Sequence, residues 1–90
     1  MQPSRVTVVI PTLTAGPALW ECVESLHRQL FRDFRIVIVD NSGSGLVDTT
    51  WPRDLSRANA TVLHPGSNIG FGAAVNLAAR EAPATYIAVL

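Results

Sequence analysis

Asp40 is the most chemically suggestive residue in this chain, because it closes the apolar run Arg35-Ile36-Val37-Ile38-Val39. A carboxylate at the carboxyl end of such a run is an acceptor that needs a donor. In a dinucleotide-binding unit the donor is a ribose hydroxyl, and that reading requires a Gly-x-Gly-x-x-Gly turn after the first strand. Pro11-Thr12-Leu13-Thr14-Ala15-Gly16 stands there instead. The Gly-x-Gly pairs at Gly43/Gly45 and Gly70/Gly72 fall elsewhere, and there is no Walker lysine motif. Two readings of Asp40 remain. It accepts an N–H from the edge of a base such as uracil, thymine or guanine, or it caps the Asn41–Gly45 loop as an Asx turn. Asn68-Ile69-Gly70-Phe71-Gly72 offers a similar choice. Asn68 can cap the helix that follows or hold a left-handed turn, and Gly70 or Gly72 can let backbone approach a ligand. A plain glycine-rich helix start explains the same residues.

Other reactive side chains are sparse. Cys22 is the single cysteine, so neither an internal disulfide nor a cysteine-rich metal site can form. With no basic neighbour in sequence it reads as a small helix residue near a core, not as an activated thiol. His27 and His64 are not spaced as a metal pair, and neither is given a role. Asn76 reads as a surface residue. Seven basic and seven acidic residues balance to zero formal charge. That leaves no basic field for nucleic acid or anionic lipid, so neither is an expected partner.

These residues need a scaffold, and the 90 residues supply enough for one domain. Hydrophobic residues make up 48% and charged ones 16%, with a mean hydropathy of +0.26. So apolar a balance suits strands buried on both faces. Val6–Ile10 reads as a strand stopped by Pro11. Leu19, Val23, Leu26 and Leu30 mark one face of a helix that starts near Pro17 and ends near Leu30. Arg35–Val39 is a second strand, and residues 47–57 form a weak helix limited by Pro52. Ala60–Leu63 is a third strand. Phe71, Ala74, Val75, Ala78 and Ala82 mark a helix closed by Pro83, and Tyr86–Leu90 is a fourth strand. Alternating strands and helices predict an α/β fold, a Rossmann-like parallel sheet with flanking helices. Ligands in such a fold bind beyond the carboxyl ends of the strands. Val6–Ile10 is too short for an export signal, and no run reaches the roughly 20 apolar residues of a membrane span. The expected location is cytoplasmic.

Three segments resemble successive motifs of family-2 glycosyltransferases. They are Val8-Val9-Ile10-Pro11-Thr12, Ile36-Val37-Ile38-Val39-Asp40-Asn41-Ser42, and Asn68-Ile69-Gly70-Phe71-Gly72-Ala73-Ala74-Val75-Asn76. The Asp-Asn-Ser and Asn-x-Gly-Phe pieces are similar to the branch that includes rhamnosyl- and galactofuranosyltransferases. The resemblance spans nearly the whole chain and implies the N-terminal, nucleotide-binding half of a GT-A fold. It also implies a nucleotide site made of Pro11, Thr12, Asp40, Asn41, Asn68 and Gly70. Pro11 and Thr12 would line the nucleoside pocket largely through backbone, Asp40 would accept the base N–H, and Asn68 and Gly70 would shape the wall near the ribose or diphosphate. The implied ligand is a nucleotide-diphosphate sugar of the UDP, dTDP or GDP type. Leu13 and Thr14 depart from the tyrosine and asparagine common at those positions.

In this family the fourth strand runs into an Asp-x-Asp-like motif that holds a divalent metal, Mg or Mn, against the donor diphosphate. Residues 1–90 are therefore expected to be a donor-binding part that ends before that motif, holds no metal alone and does not catalyse transfer alone. The parent enzyme is expected to invert the donor carbon. A stand-alone nucleotide-binding module, or a protein-interaction module, is the alternative. The apolar final strand invites self-association through its edge.

Overall fold

The apolar runs become the strands of one all-parallel sheet. The computed structural model describes residues 5–90, in the order β1 (Val6–Thr12), α1 (Pro17–His27), β2 (Phe34–Asp40), α2 (Leu46–Thr50), β3 (Ala60–Leu63), α3 (Phe71–Glu81) and β4 (Tyr86–Val89). The strands lie side by side as β3-β2-β1-β4. The register places Val8 beside Ile36 and Ala88, and Val9 beside Val37 and Val89.

Side-chain alternation along the strands divides the apolar residues between two layers. Val8, Ile10, Ile36 and Ile38 face α1 and α2, where they pack with Leu19, Val23 and Val47. Val9, Val37 and Val39 face α3 and meet Ala74, Ala78 and Ala82. Alanines at this contact let the helix lie close to the sheet. Thr7, buried on the same face, donates its hydroxyl to the Ala82 carbonyl at 2.6 Å and ties the end of α3 to β1. The result is an α/β, Rossmann-like sheet covered on both faces, consistent with the N-terminal half of a GT-A fold.

Several boundaries differ from the sequence reading, each for a local reason. β1 does not stop at Pro11 but continues to Thr12, with Pro11 beside Val39. Along β1, Val9 turns its carbonyl toward β4, accepting the Leu90 N–H, while Thr12 turns its own toward Asn41. Pro11 alternates with Thr12, so its missing N–H faces the side where the paired part of β4 has already ended. Helix α1 stops at His27, before Leu30, which is 97% exposed. Its last carbonyls are taken up by the side chains of Gln29, which reaches Ser25, and Arg32, which reaches His27 at 2.7 Å. Helix α2 runs over Leu46–Thr50, starting one residue before the expected 47–57 stretch and ending ahead of Pro52. Phe71 begins α3 but is exposed, so the buried alanines carry its packing with Val75 and Leu77 partly buried beside them; Asn76 is exposed, as expected.

Candidate functional site

The chain moves outward from β1 through β2 to β3, then crosses back to place β4 on the other side of β1. Strand order therefore reverses between β1 and β4, the position where open α/β sheets bind ligands. A cleft of about 400 Å³ opens there, lined by Pro11, Thr12, Thr14, Gly16, Cys22 and Leu90 among others. Thr12 is already engaged. Its hydroxyl accepts the Thr14 N–H at 3.2 Å, and its carbonyl accepts the Asn41 N–H at 2.8 Å. Pro11 and Thr12 thus offer shape and backbone, not a free hydroxyl.

Asp40 and Asn41 sit one strand away and point to opposite faces. Asp40 follows Ile36 and Ile38 toward α1 and α2. Its side chain is about 1% exposed, with Oδ1 accepting the Ser42 N–H and Oδ2 the Val47 N–H, both at 2.9 Å. These bonds close the loop after β2 as an Asx turn and cap the start of α2 from outside the helix. Burial pushes the carboxyl upward. The Ser42 and Val47 hydrogen bonds and the nearby His64 outweigh it and hold Asp40 below the ordinary carboxylate range.

Asn41 continues the row of Val37 and Val39 toward α3 and is 5% exposed. Its side-chain Oδ1 is buried and has no hydrogen-bond partner. A buried acceptor left unpaired costs about 1–3 kcal/mol, so such atoms are rare and call for an explanation. α3 runs back along this face, and its start lies at the same carboxyl edge of the sheet.

Asn68 and Gly70 form that start. Asn68 Oδ1 accepts the Gly70 N–H at 2.9 Å, and Gly70 has φ +83°. The asparagine thus holds a turn, one of its two expected roles, and no side chain caps the first N–H groups of α3. The loops after β2 and β3 touch backbone to backbone. A Cβ added to Gly43, at φ +77°, would meet the Gly66 carbonyl oxygen at 3.3 Å. Pro11 and Thr12, Asp40 and Asn41, and Asn68 and Gly70 therefore occupy one edge of the sheet, although only the first pair lines the switch-point cleft.

His64, which sequence reasoning left without a role, lies in the middle of this edge. Its Nε2 is 2.7 Å from Asp48 Oδ2, and its Nδ1 is 4.0 Å from Asp40 Oδ2. Asp48 also receives Arg57 Nη2 at 2.6 Å. Arg57 is the main reason the Asp48 carboxyl sits below its ordinary range, against the opposing effect of burial and with help from His64. The available signal was positional: His64 directly follows β3, as Asp40 ends β2.

The family model for glycosyl transferase family 2 matches residues 7–90. This chain belongs to that family. Comparison with curated proteins gave no match. Membership of the family implies binding of a nucleotide-sugar donor in general.

The divalent metal implied by the resemblance finds no fit here. Among the described residues, no group of three or more His, Cys, Asp or Glu side chains is disposed to hold a metal ion. Asp40 and Asp48 instead spend their oxygens on Ser42, Val47, Arg57 and His64. No described helix of this family-2 domain is long and apolar enough to cross a membrane.

Proposed function

We propose that this glycosyltransferase domain holds the nucleotide of a nucleotide-diphosphate sugar across the ends of β1 and β2 and the start of α3, with Pro11 and Thr12 lining the nucleoside pocket through their backbone. The observation that carries the proposal is the cleft of about 400 Å³ at the reversal of strand order between β1 and β4, lined by Pro11 and Thr12. Asp40, its two oxygens already bonded to the loop behind, acts one step back by fixing the backbone from which Asn41 projects. Leu13, half-exposed at the same edge, stands where many relatives place a tyrosine against the base. Asn68 and Gly70 shape the wall toward ribose or diphosphate.

On this reading the donor is of the UDP, dTDP or GDP type, and the Asp-Asn-Ser and Asn-x-Gly-Phe segments favour the rhamnosyl- and galactofuranosyltransferase branch. Transfer is a single inverting displacement. It draws on a divalent metal, Mg or Mn, and on a carboxylate base that residues 5–90 do not supply, so the 90-residue chain binds donor without transferring sugar. A cytoplasmic setting suits the single free thiol of Cys22.

The test is amide NMR of the chain titrated with UDP, dTDP and GDP. Saturable shifts at Thr12, Asn41 and Asn68 are expected. Asp40→Ala, which releases the loop held by the Ser42 and Val47 hydrogen bonds, should weaken the best nucleotide by roughly two- to tenfold. A well-dispersed spectrum that no nucleotide moves would overturn the proposal.

The open flank of β4 supports one partner reading, self-association. Tyr86, Ile87, Val89 and Leu90 are all substantially exposed, and among the described residues β4 pairs only with β1, with no strand on its other edge. A second copy meeting it edge to edge would be detected by sedimentation as a concentration-dependent dimer.

A further inference from the structure

We propose that His64 is a positioning residue: held between Asp48 and Asp40, it fastens the loop after β3 to the loop after β2 and keeps the two walls of the nucleotide site in register. That these walls serve a nucleotide rests on the reading above. The fastening does not.

Two loops that meet through glycines have little to hold them. Gly43 and Gly66 touch only by backbone, and neither brings a side chain that could lock the contact. His64 lies two residues before Gly66 and four before Asn68, and it supplies the missing attachment. Its Nε2 reaches Asp48 at 2.7 Å on α2, the helix that the loop after β2 leads into. Its Nδ1 faces Asp40 Oδ2 at 4.0 Å. That oxygen is the one accepting the Val47 N–H, so the histidine acts on the same carboxylate that shapes the loop behind Asn41.

Asp48 is a firm anchor because it is held from its other side. Arg57 Nη2 sits 2.6 Å from Asp48 Oδ1, and its guanidinium lies over the Trp51 ring at 4.5 Å. Trp51 donates its indole N–H to the Leu55 carbonyl at 2.9 Å and meets Trp20 of α1 edge-on at 5.2 Å between centroids. A chain of contacts therefore runs from α1 through Trp51, Arg57 and Asp48 to His64 and the β3 end.

The charges around the imidazole are Asp40 at the end of β2, Asp48 on α2 and Arg57 ahead of β3. Two carboxylates flank it. As imidazolium it donates to Asp48 and attracts Asp40. As neutral imidazole it can still donate from Nε2, but it then turns a lone pair on Nδ1 toward Asp40 Oδ2. The fastening is thus tightest with the ring protonated and slacker with the ring neutral. Asp40 and Asp48, held below the ordinary carboxylate range, stay ionised throughout.

The experiment compares the chain with His64→Gln and His64→Ala by amide NMR between about pH 5.5 and 8, then repeats the UDP, dTDP and GDP titrations in each. Glutamine keeps a donor for Asp48 and carries no charge. In the unmodified protein the amides of Ser42, Val47 and the Gly66–Gly70 loop should shift together when the ring loses its proton, and nucleotide affinity should fall roughly two- to fivefold with them, the scale of a half-exposed ion pair. In His64→Gln the amide response should vanish and affinity should stay within about twofold of the unmodified protein at pH 8. In His64→Ala affinity should be lower at every pH. Protonation of the nucleotide phosphates is common to all three proteins, so the comparison between them carries the result. If the amides of Ser42 and Val47 move alike in all three, or if both variants bind as the unmodified protein does at every pH, the fastening is wrong. If the amide response is present and lost on substitution but no nucleotide shifts any resonance, the fastening stands and the nucleotide reading falls.

Discussion

Val37 and Val89 are the same residue type in the same row of the sheet, each beside Val9, yet one is 1% exposed and the other 39%. Both point toward the α3 layer. Val37 lies under Ala74 and Ala78, whereas Val89 lies on an outer strand whose far edge has no neighbour among the described residues. The local sequences are nearly as alike, Ile-Val-Ile-Val in β2 and Tyr-Ile-Ala-Val in β4. An apolar β-branched run therefore states what a strand needs. Whether that need is met depends on what the rest of the chain packs against it.

The largest effect comes from making one substitution at both positions. Val37→Lys places an ammonium among Val9, Val39, Ala74 and Ala78 with no partner, at a cost of several kcal/mol. A domain this size holds on the order of 5–10 kcal/mol in all, so the variant should be unfolded or molten by circular dichroism and urea titration. Val89→Lys should change the unfolding free energy from urea titration by less than about 0.5 kcal/mol, as surface changes do. It should also abolish the concentration-dependent dimer expected from the free edge, since lysine on an edge strand resists pairing. Equal destabilisation at the two positions would mean that β4 is covered in solution.

Asp40 sharpens the comparison at the polar end of β2. Asp40→Ala leaves the Ser42 and Val47 N–H groups without their acceptor and should cost about 1–3 kcal/mol. Asparagine can keep one of the two bonds and should recover part of the loss. Because the Asp40 and Asp48 carboxyls are depressed in the folded state, their contribution is fully present above the unfolded value near ~3.9. It is lost as pH falls through their lower folded values. The urea midpoint should accordingly hold from neutral pH down to about pH 5 on their account and then fall, less steeply in Asp40→Asn. An unchanged acid limb in that variant would show that the loop draws no stability from the charge.

Legibility in the sequence follows the same division. Strands and helices were readable because β-branched runs and a four-three-four apolar spacing encode them locally, and the residues singled out at the strand ends fall together on the carboxyl edge of the sheet. The end of α1 was not readable. Leu30 continues the apolar spacing, but Gln29 and Arg32 fold back on the last carbonyls and end the helix at His27. At the site, adjacency in sequence could place Asp40 and Asn41 together. It could not say that one would be saturated by Ser42 and Val47 and the other left with an unpaired oxygen, because those partners are set by how the loop closes. His64 was missed for a similar reason, since its partner Asp48 lies sixteen positions away on another element.

Two ion pairs of equal length bring the contrast down to its smallest measurable scale. Arg28–Glu24 and Arg57–Asp48 both close at 2.6 Å. The first joins successive turns of α1, with both side chains mostly in water. Its double-mutant coupling should be about 0.3–0.5 kcal/mol and should fade with added salt. The second is less exposed, stacks its guanidinium on Trp51 and shares its carboxylate with His64. Coupling there should approach about 1 kcal/mol and resist salt better. It should also shrink in His64→Ala, because Asp48 would lose the contact that orients it from the other side. Identical couplings in the two pairs would reduce the Arg57 side of the network to an ordinary surface contact, leaving His64 to hold the β3 loop through an anchor no firmer than a solvated carboxylate.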